Sequence, residues 1–98
     1  MKVIWSKESL KQLIEIEIFI AKDSPDRAAI FLNKLIARGE KTKDYPYKGR
    51  IVPEFSMDEI REVFEKSYRI VYKISKDQIE ILTVFEGHQI LKPDDQIK

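Results

Sequence analysis

Apolar and polar positions follow two different periods along this chain, and the change from one to the other divides it into halves. Lys2-Val3-Ile4-Trp5 reads as a short opening strand. Ser6 then stands where a helix N-cap belongs, with Glu8 placed to meet the positive end of the helix dipole. The stretch over 7–22 carries both periods. Ile14, Ile16, Ile18 and Ile20 alternate with Glu15, Glu17 and Phe19 as in a strand, while Leu10, Leu13, Ile16 and Ile20 recur at helical spacing. The stretch is too long for an ordinary strand and has no turn residue, so the helical period prevails. Asp23-Ser24-Pro25-Asp26 breaks the pattern, with Ser24 as the next cap and Pro25 at the first helical position. Ala28, Phe31, Leu32 and Leu35 form the apolar stripe of a second helix reaching about Gly39. So short a connection makes the two helices an antiparallel hairpin.

Beyond Tyr45-Pro46-Tyr47-Lys48-Gly49-Arg50, which reads as a loop, the period changes to two. Ile60 to Lys66, Tyr68 to Ile74 and Ile79 to Phe85 read as three strands, with Ser75-Lys76-Asp77-Gln78 as a hairpin turn. Tyr68, Ile70, Tyr72 and Ile74 share one face, and Ile79, Ile81, Thr83 and Phe85 share another. Consecutive strands with short connections pair antiparallel. The expected fold is therefore a single α+β domain over 1–98, in the order β-α-α-β-β-β. Its helical hairpin packs on one face of a small antiparallel sheet. The opposite face is expected to stay open and to carry Arg61, Arg69 and Lys73 among apolar neighbours, free to bind another molecule.

Composition narrows the chemistry. The chain has no cysteine, so disulfides and thiolate metal sites are excluded, and a reducing, cytoplasmic setting is expected. The opening residues are not expected to act as a secretory leader, and no apolar run is long enough to span a membrane. The formal net charge is only +1, but its distribution is uneven. Residues 1–50 hold 11 Lys/Arg against 7 Asp/Glu, and residues 51–98 hold 7 against 10. The most basic stretch runs from Arg38 to Arg50, with five basic residues against Glu40 and Asp44.

No phosphate-binding glycine loop, zinc spacing or nucleophile elbow is present, so no catalytic residue is assigned, and neither a metal nor a cofactor is expected. His88 is the single histidine and has no metal-ligating companions at the usual spacings. Arg50, Arg61 and Arg69 offer forked guanidinium groups to phosphates or carboxylates, although surface ion pairing is the commoner use. Tyr45, Tyr47 and Tyr68 offer rings to nucleic-acid bases, although covering core edges is the commoner use.

Three segments carry a resemblance to a known family: Trp5-Ser6 followed by Leu10, Leu13, Ile16 and Phe19-Ile20-Ala21; Gly49-Arg50-Ile51-Val52-Pro53-Glu54-Phe55 followed by Ile60-Arg61-Glu62; and Tyr68-Arg69-Ile70-Val71-Tyr72-Lys73-Ile74 followed by Ile79-Glu80-Ile81-Leu82-Thr83-Val84. Together, and in this order, they resemble the ParE/RelE superfamily of type II toxins, on its ParE-like side. The resemblance spans nearly the whole chain and makes the first long segment a helix.

The resemblance implies a toxin that arrests growth, neutralised by a cognate antitoxin laid over the helical hairpin and sheet. Operator DNA would be reached only through that antitoxin. ParE-like members poison DNA gyrase, and RelE-like members cut messenger RNA on the ribosome. Weak net charge favours gyrase, because a ribosome-bound nuclease needs extensive phosphate neutralisation. The last strand ends Phe85-Glu86-Gly87-His88-Gln89, where many relatives resemble His-Gly-Ala-Arg, a departure that weakens the nuclease reading and leaves an attenuated, non-toxic antitoxin-binding module as a further alternative. The residues expected at the target face, from their place on or after strands of the partly open sheet, are Arg61, Arg69, Glu86, His88 and Lys92, and those expected to meet the antitoxin are Leu13, Ile20, Phe31 and Leu35.

Overall fold

A computed structural model describes residues 1–87. Strand β1 (Lys2–Trp5) leads into α1 (Lys7–Ala21) and α2 (Pro25–Glu40). Two 3₁₀ turns, Lys41–Lys43 and Pro46–Lys48, then precede β2 (Arg50–Ile51), β3 (Ile60–Glu65), β4 (Tyr68–Ile74) and β5 (Gln78–Glu86). Both expected caps are made. The Ser6 side chain accepts from the Ser9 amide at 3.0 Å, and the Ser24 side chain accepts from the Arg27 amide at 3.2 Å, with Pro25 starting α2.

The double periodicity of α1 resolves as helical. Leu13 and Ile16 face the core, whereas Ile14 and Ile18 point outward with 57% and 58% exposure. The five strands lie in the order β1-β5-β4-β3-β2. Strands β2 to β5 run antiparallel as their short connections require, and β1 is added parallel to β5. β1 and β5 are far apart in sequence, so no turn dictates their relative direction. Trp5 crosses from β1 to α2: its indole N–H donates to Glu40 at 2.8 Å, and its ring lies where a Cβ on Gly39 would come within 2.5 Å. Only glycine admits that approach.

The helical hairpin covers one face of the sheet. Leu13, Ile16 and Leu35 meet Val63, Ile70, Tyr72, Ile74, Ile79, Ile81 and Val84 in one buried cluster. Two expectations about faces are corrected here. The first concerns β5. Val71 pairs with Thr83 but Tyr72 pairs with Ile81, so Leu82 is an extra residue, a β-bulge. The bulge changes the alternation, so Val84 joins Ile79 and Ile81 under the helices, while Phe85 turns to the opposite face. α1 satisfies the backbone groups that the bulge disturbs. The Ser6 hydroxyl donates to the Leu82 carbonyl at 2.8 Å, and Gln12 Oε1 accepts from the Val84 amide at 2.6 Å.

The second correction concerns the face expected to be open. The segment over 52–59 folds across it, and Val52 and Phe55 pack on Ile60, Val71, Leu82 and Phe85 in a second small cluster. Phe64, 42% exposed, is the large apolar side chain of β3 that stays uncovered.

Candidate functional site

Strand register places the two arginines expected to act together on opposite faces. Arg61 pairs with Tyr72 and shares the helix side with Val63, whereas Arg69 pairs with Phe64 and lies on the other side. The expectation of one open face carrying both is therefore overturned. Ile60, Val63 and Phe64 are all apolar, so the alternation along β3 does not reveal which side Arg61 takes.

Arg69 is only 6% exposed and sits in a buried ionic chain. Its Nε donates to Glu62 Oε1 at 2.7 Å, and Nη1 and Nη2 grip the two Glu54 oxygens at 2.9 Å each. The Arg50 Nε donates to Glu62 Oε2 at 2.8 Å, with a second short contact from Nη2 to the same oxygen. Phe85 lies beneath the Arg69 guanidinium, with 5.0 Å to the ring centroid, and Phe64 lies 5.5 Å from that of Arg50. The hydrogen bonds to Glu54 hold the Arg69 pKa above its ordinary range; burial opposes this, and Glu62 adds to it. Two guanidinium groups thus face two carboxylates.

Arg61 is a fastener. Its Nη1 donates to the Tyr47 and Gly49 carbonyls at 3.0 and 3.1 Å, Nε to the Asp58 carbonyl at 2.8 Å, and Nη2 to the Asp58 carboxylate at 2.6 Å. Its side chain is 13% exposed. Neither Arg61 nor Arg69 projects a guanidinium to solvent as a target-binding surface requires. Glu86 is half-buried beside Tyr68, and raises the phenol's pKa in addition to the larger effect of burial. His88 and Lys92 lie outside the described residues.

The four residues expected to meet an antitoxin divide into two pairs. Leu13 and Leu35 are buried in the core, at 5% and 0% exposure, and cannot touch a partner directly. Their helical faces point inward because the sheet takes up the main apolar stripe of the hairpin. Ile20 and Phe31 line a groove of about 480 Å³ together with Ile30 and Tyr68. The Phe31 and Tyr68 rings meet there at 5.4 Å between centroids. Arg27, Lys34 and Lys66 rim this apolar groove, and among the described residues no carboxylate lines it. Among the described residues, no cluster of three or more His, Cys, Asp or Glu could hold a metal, and no helix is long and apolar enough to cross a membrane.

Residues 3–91 match the family described as ParE toxin of type II toxin-antitoxin system, parDE. The chain belongs to the ParE toxin family. It is also 35% identical over 88 residues to Y4kP of Sinorhizobium fredii, a protein named as a candidate toxin, with 90% of each chain covered. A solved structure titled as a chromosomal ParDE TA system from P. aeruginosa superposes with a TM-score of 0.73 at 15% identity, covering 88% of this chain and 95% of the other. That likeness concerns the fold.

In this ParE-family chain, the segments Gly49 to Glu62 and Tyr68 to Ile74, which carry much of the resemblance, are the two that meet in the ionic chain. Sequence reasoning singled out Arg69 and Arg50 but missed Glu54 and Glu62 as their partners. The available signal was the presence of both carboxylates within the family-like segments, but nothing in their spacing states which arginine each one meets. The basic rim of the groove was missed because Arg27, Lys34 and Lys66 come from three different parts of the chain.

Proposed function

We propose that this ParE-family toxin arrests growth by binding DNA gyrase in the cytoplasm rather than by cutting RNA, and that a cognate antitoxin restrains it. The carrying observation is the Arg50–Glu62–Arg69–Glu54 chain, in which carboxylates already occupy both guanidinium groups. A nuclease must offer uncompensated donors to a developing phosphate charge. Here three of the five Arg69 donors are already committed to carboxylates. With Arg61 fastening loops, direct target contact falls to the C-terminal stretch that begins at Glu86 and that the sequence extends through His88 to Lys92.

The antitoxin segment that fits the groove is amphipathic and acidic, its apolar side chains meeting Ile20, Ile30, Phe31 and Tyr68 and its carboxylates meeting Arg27, Lys34 and Lys66. A flexible acidic segment that orders on this surface would wrap it and mask the toxin. Contact with operator DNA would follow only through the antitoxin.

Induction of the toxin alone in a bacterial host separates the readings. Double-strand DNA breaks covalently linked to gyrase are expected, with transcripts intact. Transcript ends clustered within translated codons would replace this reading with the ribosomal nuclease. Normal growth would replace it with a non-toxic antitoxin-binding module.

A further inference from the structure

The most basic stretch of the sequence, Arg38 to Arg50, takes no part in the activity proposed above apart from Arg50. The fold gathers three of its cations around one pocket. Arg38 from the last turn of α2, Lys41 from the following 3₁₀ turn and Lys48 from the next line a cavity of about 390 Å³. Its lining includes Val63 and the buried Tyr72, and Asp44 is the single carboxylate among the described lining residues. We propose that this pocket binds a phosphate ester adjoining a planar base, the chemistry shared by a free nucleotide and a single-stranded nucleic-acid segment.

Charge alone would be weak support, since cations near a helix C-terminus also offset the helix dipole. The state of Arg38 supplies more. Arg50, Arg61 and Arg69 each take a carboxylate partner, whereas the half-buried Arg38 has no hydrogen bond or ion pair among the described residues. With no carboxylate of the described residues claiming it, and with none of its nitrogens sealed from water, this guanidinium can turn to an anion in the pocket, and its fork matches a phosphate. The end of α2 does not oppose this ligand strongly, because the Thr42 hydroxyl donates to the Gly39 carbonyl at 2.7 Å.

The wall of the pocket indicates the rest of the ligand. Tyr45 is 72% exposed, and the Lys48 ammonium lies 5.7 Å from its ring centroid. An exposed ring beside cations is the arrangement on which a base stacks while its phosphate is held. The Tyr72 hydroxyl is engaged as a donor to the Pro46 carbonyl at 2.6 Å, which fixes the Pro46–Lys48 turn as one wall. The volume falls within the usual range of small-ligand sites, roughly 300–1,000 Å³.

The test is a titration of the isotope-labelled full-length chain by NMR at low ionic strength, first with ADP and separately with a short oligothymidylate. Saturable shifts of the Thr42, Lys48 and Gly49 amides are expected. Arg38→Gln should weaken binding by about tenfold or more, the loss of one charge-assisted hydrogen bond. Lys48→Gln should weaken it less, and Lys22→Gln, before the start of α2 and so the length of that helix away from Arg38, should leave it unchanged. Binding by ADP alone assigns a free nucleotide, and tighter binding by the oligonucleotide assigns a strand; either supports the pocket. Absence of saturable shifts with both probes overturns it, as does undiminished affinity in a folded Arg38→Gln protein. Should Arg38→Gln fail to fold, undiminished affinity in Lys48→Gln, whose side chain is exposed, overturns it equally.

Discussion

On the side of the sheet that α1 and α2 cover, Leu13, Ile16 and Leu35 lie on Ile70, Ile79, Ile81 and Val84, and the packing is almost wholly apolar. On the other side a short irregular segment replaces the helices, and among the described residues its apolar contact with the sheet is made by Val52 and Phe55. There Arg69 and Glu62, at 6% and 1% exposure, do what helices do elsewhere. They tie β3 and β4 together and, through Glu54, hold the covering segment down. The first face is non-directional and tolerates reshaping, because apolar burial depends on area. The second is directional: each oxygen of Glu62 takes a different arginine, so loss of a single group strands the others.

The largest expected effect follows from that asymmetry. Glu62→Ala should destabilise the fold by about 4 kcal/mol, since it leaves Arg69 buried with its Nε unpaired. Urea unfolding of the free chain measures this loss. The double variant Glu62→Leu/Arg69→Met should recover most of it, because no uncompensated charge then remains in the interior. Glu54 and Arg50 retain access to water, their side chains being 23% and 60% exposed. A double variant as unstable as the single would show that the ionic chain contributes more than mutual neutralisation.

These two faces differ in how far the sequence declares them. The helical hairpin, its Ser6 and Ser24 caps and the span of β4 from Tyr68 to Ile74 are legible, because caps and periodicity are local signals. The face of Arg61 is not legible, since Ile60, Val63 and Phe64 leave the parity of β3 open until its pairing with β4 is known. Neither is the bulge at Leu82, which depends on Gln12 and Ser6 arriving from α1 to take the displaced backbone groups. The groove behaves likewise. Ile20 and Phe31 are visible as helix positions, whereas the cationic rim exists only after the chain has folded.

Leu35→Ala tests the apolar face, where Leu35 has no exposure. A loss of about 3 kcal/mol is expected, from lost burial plus the cavity left behind. Leu35→Met, which conserves volume, should cost less than about 1.5 kcal/mol. No conservative exchange of this kind exists for Glu62. If Leu35→Met were as damaging as Glu62→Ala, the contrast between a tolerant face and a directional one would fail.

Gln12→Ala probes a polar join between α1 and the bulge of β5. It removes the acceptor of the Val84 amide and the partner of the Thr83 hydroxyl, both at the bulge. An unsatisfied amide at this depth costs about 2 kcal/mol. Hydrogen exchange should quicken at Val84 more than at Ile70 on the neighbouring strand. Uniform acceleration across both strands would mean that Gln12 supports the whole layer rather than the bulge.

Alkaline pH should distinguish the faces without any change of sequence. Tyr72 is fully buried under the helices, and burial raises its phenol pKa, an effect that the Gly49 amide and the charges of Arg61 and Arg38 only partly offset. Tyr68 is raised as well, chiefly by burial and then by Glu86. A folded-state pKa above that of the unfolded chain means that the folded state holds its proton longer. The contribution of these groups to stability is therefore complete below about pH 10 and is lost as pH rises through the folded values. Arg69, raised rather than lowered by its carboxylates, keeps its charge throughout this range, so the opposite face does not weaken by the same route. Unfolding midpoints should fall with pH above that point, and the fall should be shallower in a Tyr68→Phe/Tyr72→Phe protein. An identical slope in that protein would place the alkaline weakness outside the helix-covered face.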